Sequence, residues 1–486
     1  MAGGSAKTGW DGEWKAYYEL AALFEEWLKC NTTPHPPQQQ QTDPRHPRHR
    51  LGGWTLSQEL GSQKSPLAQT HNILVLSPSR TMALTPLLAS AACSIFDFRI
   101  AEEPVRRSSL SPALQKYQVH VLGVDFKQRS IRCVAAVGSN GDDRAPDLEG
   151  QEPVDGAEEF EVGYDTLIMA PGSETNTFGT PGVPEHCYSM KSMKDAMKLR
   201  ERILDCLELA SLPIYTEAQK RDLLHFAIVG GGPTGVELAA EIDELVHDHL
   251  AHVYKSLAGM VTVSVYDVAD RMLGSFGEKL SQYAMERFRK RHVQVRMGRH
   301  IEGVEKGVLK IKEDGRVGFG VCVWAAGNKA SALVQGMDVR KSEGGMERVL
   351  TDRWLRVLAT PDKKSDEGDE ALVKGVYALG DAADIAGHTL PTTAEVAVQK
   401  AKWLARHLNA GEPPDGEPFS YHQKSMVAYI GREDGVVEGK QDWTGASAWL
   451  AWRGGSLQWT RSWRRRAMIC IYWFMNKLDG REIARR

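Results

Sequence analysis

The sequence predicts an α/β protein made of two Rossmann-like dinucleotide-binding domains, one inserted in the other, followed by a C-terminal region of different character. Three observations carry this. The first is Phe226-Ala-Ile-Val-Gly-Gly-Gly-Pro-Thr-Gly-Val-Glu-Leu-Ala-Ala-Glu241, an apolar run that leads into glycines and then into an Ala/Leu/Glu-rich segment. The second is a pair of apolar strands ending in small residues and glycine, Tyr164–Gly172 and Val321–Gly327, one on each side of the first. The third is Gly375-Val-Tyr-Ala-Leu-Gly-Asp-Ala-Ala383, which delivers Gly380 and Asp381 at the C-terminal end of a strand, where open α/β sheets bind ligands.

The glycine turn is the most informative stretch. Phe226 to Val229 reads as a buried parallel strand. Gly230 lets the chain turn sharply, Gly232 lets the backbone approach a pyrophosphate, and Gly235 lets the following helix pack close on the strand with its N-terminal amides aimed at the phosphates. A second strand, Val261–Tyr266, ends at Asp267. A carboxylate there binds a ribose 2′-hydroxyl and disfavours a 2′-phosphate, so NADH is expected over NADPH. The gap from glycines to acid exceeds the usual ~20 residues, which predicts a long crossover helix through His247 to Leu257.

The remaining elements follow in order. Residues 1–50 are expected to be an extension outside the fold: Trp10 to Leu28 has an amphipathic pattern, and Asn31 to Arg50 is rich in Pro, Gln and His and reads as a disordered linker. A helix is expected from Gly52-Gly53-Trp54, then a strand over Asn72–Leu76. These form the second half of a βαβ unit. Its first strand and Gly-x-Gly belong just before Gly52, but Pro44 and Pro47 among arginines and histidines cannot make a buried strand. Gln118–Val124 and Arg132–Val137 resemble a hairpin, and Gly138–Gly156 an acidic loop. After Asp381, Leu390–Ala405 reads as a helix beginning near Thr392, with Glu395 and Gln399 one turn apart. The expected domains are 51–215 for the first part of one nucleotide domain, 216–327 for the inserted one, 328–410 for the return and 411–486 for the C-terminal region.

Composition narrows the class. A chain of 486 residues holds two to three domains, and a net charge of -3 gives no reason to expect nucleic acid binding. The seven cysteines include no Cys-x-x-Cys, which argues against a disulfide framework, a zinc ribbon and a dithiol redox centre; no metal site is expected. No stretch reaches the roughly 18 apolar residues of a membrane-spanning helix. The start has neither a signal peptide nor a good transit peptide, because Asp11, Glu13, Glu19, Glu25 and Glu26 are acidic. The tail combines a short apolar run, Ala467–Met475, with Trp and Tyr and with Arg453, Arg461, Arg464, Arg465, Arg466, Lys477, Arg481, Arg485 and Arg486. Aromatics and arginines beside a short apolar helix describe an interfacial anchor lying in one leaflet. A core helix or dimer interface is the alternative.

Taken together these features resemble the type II (rotenone-insensitive, non-proton-pumping) NADH:ubiquinone oxidoreductases, in particular the alternative mitochondrial NADH dehydrogenases of fungi. The resemblance runs from about Gly52 to Arg486. It rests on Thr85-Pro-Leu-Leu-Ala-Ser90 with Glu103-Pro-Val-Arg106, Asn176-Thr-Phe-Gly-x-Pro-Gly182, Val229 to Glu237, Ala378-Leu-Gly-Asp381, Leu390-Pro-x-Thr-Ala with Gln399, Trp449-Leu-x-Trp-Arg453, and Lys477-Leu-x-Gly-Arg-Glu-Ile483. It implies a glutathione-reductase-like pair of domains, non-covalent FAD, ubiquinone as acceptor, a C-terminal membrane-anchoring tail that also forms a homodimer, and a peripheral place on the mitochondrial inner membrane. By the same resemblance Gly230, Gly232, Gly235, Glu237 and Asp267 face NADH, and Gly53, Gly172, Gly380 and Asp381 face FAD. Glu395 and Gln399 then lie near quinone and flavin, with Glu395 standing where the family usually has glutamine. The resemblance also places Arg48 and Arg50 where the first two glycines of the FAD turn belong. Beside the enzyme, that departure leaves a misassigned or degenerate paralogue binding NADH but not FAD. Another FAD/NAD-dependent reductase of this fold is the third reading; the missing Cys-x-x-Cys and the aromatic tail count against it.

Overall fold

The computed structural model describes residues 51–106, 111–137, 158–257, 259–291, 293–360, 371–411, 416–460 and 462–482. The expectations for residues 1–50 and for the acidic loop Gly138–Gly156 lie outside them.

Helix Leu51–Leu60 forms where the sequence places it, burying Trp54, Leu56 and Leu60. Strand Ile73–Ser77 follows and runs parallel to the first part of a long strand, Leu114–Asp125. The second part of that strand turns antiparallel against Ser130–Ala135, so the expected hairpin is present and shares a strand with the parallel ladder. Strand Leu167–Met169 lies parallel to Leu372–Ala378, in a five-stranded sheet completed by 356–358, 349–351 and 383–385.

Among the described residues, Ile73–Ser77 and Leu167–Met169 are each paired on one edge only. Their side chains nevertheless converge. Ile73 and Ile168 pack against one apolar cluster around Leu56, Leu60 and Leu379, while Leu76 and Leu167 pack against another around Val119, Ile131 and Cys133. Two strands that meet on both faces without pairing describe a Rossmann sheet whose first strand is unaccounted for among the described residues.

The inserted half has a four-stranded parallel sheet in the order 293–297, 262–267, 225–229, 321–324. Phe226, Ala227, Ile228 and Val229 are all buried, which is why this strand reads as an unbroken apolar run rather than an alternating one. Helix Pro233–Glu244 continues through a π-helical turn, Leu245–Leu250, to Ala251–Val253. This long crossover accounts for the distance between the glycines and Asp267. The two crossings into and out of this half are bonded to each other. Ser173–Thr175 pairs antiparallel with Asn328–Ala330, and the Tyr188 amide donates to the Cys322 carbonyl at 2.8 Å.

The C-terminal region is a small antiparallel sheet, 426–431, 434–438 and 443–444, followed by helices Ala446–Trp459 and Trp463–Asp479. No helix among the described residues is long and apolar enough to cross a membrane. Tyr429, Ile430 and Ile469 join the main core together with Ile228 and Val236 of the inserted half and Leu87 and Leu88 of the first.

Candidate functional site

The glycine turn divides three demands among three residues. Gly230 has φ +120°, and a Cβ there would lie 2.8 Å from the Ala325 carbonyl carbon of the neighbouring strand. A Cβ on Gly235 would lie 1.9 Å from the Gly230 carbonyl oxygen, so only glycine lets helix and strand approach this closely. Gly232 differs from both. Its backbone is extended (φ -73°, ψ 176°), no heavy atom lies within 4 Å of a Cβ built on it, and it caps helix Pro233–Glu244 without a side-chain hydrogen bond. The helix's first amides therefore face open space at its positive end, the requirement of a phosphate site. Asp267 stands beside this space. One of its carboxylate oxygens accepts from the Gly231 amide at 2.5 Å and the other from the Ala269 amide at 2.8 Å, which fixes the side chain against the turn.

Glu237 is placed differently from the expectation that it faces NADH. Its carboxylate accepts from Trp452 Nε1 at 3.0 Å and from the Tyr429 amide at 3.4 Å, both in the C-terminal region. Burial pushes it up to about 8, against the lowering effect of those two donors. Glu241, one turn on, accepts from Ser90 at 2.9 Å and lies 3.6 Å from Arg481; burial pushes it up to about 7. The physical reason is helical geometry: positions 237, 241 and 244 share the face turned toward the tail, away from the glycine turn.

The other nucleotide half presents its far wall. Gly172 and Gly380 take positive φ, +71° and +79°, and a Cβ on Gly380 would meet nothing within 4 Å. Asp381 Oδ2 accepts from Ser173 Oγ at 2.9 Å, which ties the two strand ends together. A Cβ on Gly53 would come within 3.1 Å of the Ala170 Cβ. Gly53 thus serves close helix–strand packing. These residues fit the part of an FAD site made by the strand ends; the segment that would cradle its pyrophosphate, with Arg48 and Arg50, lies outside the described residues.

Sequence reasoning missed a buried charge cluster just behind Asp381. Arg348 forms an ion pair with Asp384 at 2.9 Å and donates to the carbonyls of Asp381, Ala383 and Leu390. Lys400 donates to the Ala383 carbonyl at 3.3 Å, and burial with Arg348 nearby pulls it down to about 8. A signal was present: Lys400 occupies the apolar face of helix Ala394–Ala410, in line with Val396, Ala397, Ala401 and Leu404.

Glu395 and Gln399 come together as their spacing predicts, with Gln399 Nε2 donating to Glu395 at 2.7 Å. Both also bind the segment opposite. Gln399 exchanges two hydrogen bonds with the His422 backbone, and Lys424 pairs with Glu395 at 2.8 Å. The carboxylate that replaces the family's glutamine is thus matched by a lysine.

The tail corrects part of the expected anchor. Three of its arginines turn inward rather than flank an apolar surface: Arg465 pairs with the fully buried Glu103 at 2.8 Å, Arg481 pairs with Glu244 at 2.7 Å, and Arg453 lies between the Trp449 and Trp473 rings at 4.5 and 4.6 Å. A buried carboxylate left unpaired is costly, so Glu103 and Glu244 each hold a guanidinium, while Arg453 is held by stacking on the two indole rings. Outward on helix Trp463–Asp479 stand the apolar Trp463, Ile471, Phe474, Met475 and Leu478 together with the charged Arg464, Arg466, Lys477 and Asp479, and Leu450 on the preceding helix is exposed as well. Arg461, Arg485 and Arg486 lie outside the described residues.

The pattern of the pyridine nucleotide-disulphide oxidoreductase family matches residues 53–401. The chain is 26% identical to an external alternative NAD(P)H-ubiquinone oxidoreductase B1, mitochondrial, of Solanum tuberosum, covering 86% of each chain. It is 29% identical to an internal alternative NAD(P)H-ubiquinone oxidoreductase A1, mitochondrial, of the same plant, covering 85% of this chain and 83% of the relative. Among solved structures, the NDH2 from Plasmodium falciparum in complex with NADH superimposes with a TM-score of 0.76 at 20% identity, covering 90% of this chain and 98% of that one. The family pattern spans most of the chain and includes the glycine turn, both crossings and the strand bearing Asp381: the chain belongs to the pyridine nucleotide-disulphide oxidoreductase family.

Proposed function

We propose that the protein is a non-proton-pumping NADH:ubiquinone oxidoreductase, peripheral on the mitochondrial inner membrane. The observation that carries this is the open space at Gly232, with helix amides on one side and the Asp267 carboxylate on the other. Such a space takes a pyrophosphate at the helix end and a ribose diol at the acid. A 2′-phosphate beside Asp267 is repelled, so NADH is the donor. The relatives' names supply the quinone and the mitochondrion. FAD, when bound, would supply the hydride-accepting chemistry that links NADH to two-electron reduction of quinone. Gly172, Gly380 and Asp381 would hold it, with Ser173 orienting Asp381. Glu395 and Gln399, fixed by Lys424 and His422, border the quinone path.

The exposed apolar residues at 471, 474, 475 and 478 repeat at helical spacing and form one stripe. This stripe supports seating of the tail on a membrane surface, and the homodimer uses the same region.

Purified full-length protein tests the activity. With FAD added, NADH-dependent reduction of a short-chain ubiquinone is expected, at least tenfold faster than with NADPH at equal concentration. No quinone-dependent NADH oxidation sinks the enzyme reading. NADH binding without retained flavin would replace it with a paralogue that binds the nucleotide alone.

A further inference from the structure

We propose that Cys187 and Cys322 form a reversible disulfide that staples together the two crossings of the inserted nucleotide-binding half. The cysteines are far apart in sequence, and no spacing motif joins them. The fold brings Cys187 Sγ to 3.3 Å from Cys322 Sγ.

The backbone holds this contact in place. Tyr188 bridges Val323 in parallel: its amide donates to the Cys322 carbonyl and its carbonyl accepts from the Trp324 amide, both at 2.8 Å. That register sets Cys187 beside Cys322 at strand spacing, about 4.8 Å, inside the Cα range of disulfides. Both side chains face the same apolar cluster, between Val183 and Trp324. The other described cysteines, Cys93, Cys133, Cys206 and Cys470, are not in this contact.

The two thiols are unequal. Cys187 is half-buried, whereas Cys322 is fully buried. The hydrogen bond with the Cys187 thiol, and then burial, push Cys322 well above the ordinary thiol range. Cys187 therefore meets an oxidant first and Cys322 resolves. With a low-molecular-weight disulfide as oxidant, the Cys187 thiolate attacks one of its sulfurs, breaking that S–S bond and releasing one thiol. Cys322, giving up its proton, then attacks Cys187 Sγ and expels the second thiol. The protein loses two electrons and two protons, and the oxidant becomes two thiols. The resulting ring encloses residues 188–321, most of the inserted half.

The test uses the reduced full-length protein treated with oxidised glutathione, alkylated, and digested without reductant. A cross-linked peptide pair containing Cys187 and Cys322 is expected, and dithiothreitol should remove it. The thermal midpoint should rise by roughly 5 °C or more on oxidation, as closing a long loop predicts, and return on reduction. Cys322→Ala should stop at glutathione on Cys187, and Cys187→Ala should leave Cys322 a thiol. The proposal fails if wild-type Cys187 and Cys322 both remain alkylatable, or if Cys187 keeps glutathione without passing to Cys322. The wild-type map decides even if either variant folds poorly.

Discussion

Gly232→Ala and Gly235→Ala separate ligand contact from folding within one turn. Gly232 already has a backbone any residue adopts, and a Cβ there meets nothing within 4 Å. As a helix N-cap, glycine ranks well above alanine, and the stability loss should be about 0.5–1 kcal/mol. The added methyl nevertheless projects into the space assigned to the pyrophosphate. NADH affinity should fall at least tenfold, or about 1.4 kcal/mol. Gly235→Ala puts its methyl 1.9 Å from the Gly230 carbonyl oxygen. The helix must recede by more than about 1 Å to reach ordinary contact, at a cost of about 1–3 kcal/mol typical of an overfilled core. That variant should lose both stability and NADH. Urea unfolding followed by tryptophan fluorescence gives the first quantity and titration calorimetry with NADH the second. Gly232→Ala that binds NADH within twofold of wild type would refute the phosphate assignment.

Two further outcomes follow from buried charge. Glu237 is raised to about 8 in the folded chain, while the unfolded chain releases that proton near the ordinary carboxyl value. Its contribution to stability is therefore intact below about pH 4.5 and declines as pH rises toward 8, by up to about 1.4 kcal/mol per unit. Glu237→Gln should flatten part of that decline in urea titrations from pH 5.5 to 8; an unchanged slope would show that the carboxylate is not buried as described. Arg465→Met removes a charged partner of the buried Glu103, which should cost more than about 1 kcal/mol; a smaller loss by thermal unfolding would remove this pair from the account of the tail.

What could be read along the chain is what depends on neighbours in the chain. Gly235 meets a demand set by Gly230 five residues before it, and the long crossover before Asp267 shows as a count. The Ala/Leu/Glu run after Gly235 has the composition of a helix, and helix Pro233–Glu244 forms there. The missed features are long-range. Trp452 reaches Glu237 across 215 residues, Arg465 reaches Glu103 across 362, and Cys187 meets Cys322 across 135. Helical periodicity says that positions 237, 241 and 244 share a face, but not that the tail covers it. The arginines of the tail read as a surface feature because their carboxylate partners lie on other elements.

The glycine-turn helix joins two functions in one rod. Its N-terminal end faces the open space at Gly232, while its side binds the tail through Glu237, Glu241 and Glu244, whose partners include Trp452, Tyr429 and Arg481. Removing the tail therefore strips partners from three buried carboxylates before it removes any surface for a membrane. A truncation after Trp449 would weaken the fold and the NADH site together, and lost membrane binding would carry no information. Phe474→Asp with Leu478→Asp changes only the outward stripe, and neither side chain belongs to the inward ion pairs. That double variant should keep NADH affinity and thermal midpoint near wild type and lose co-sedimentation with cardiolipin-containing vesicles. Unchanged co-sedimentation would mean that this stripe does not seat the tail on lipid.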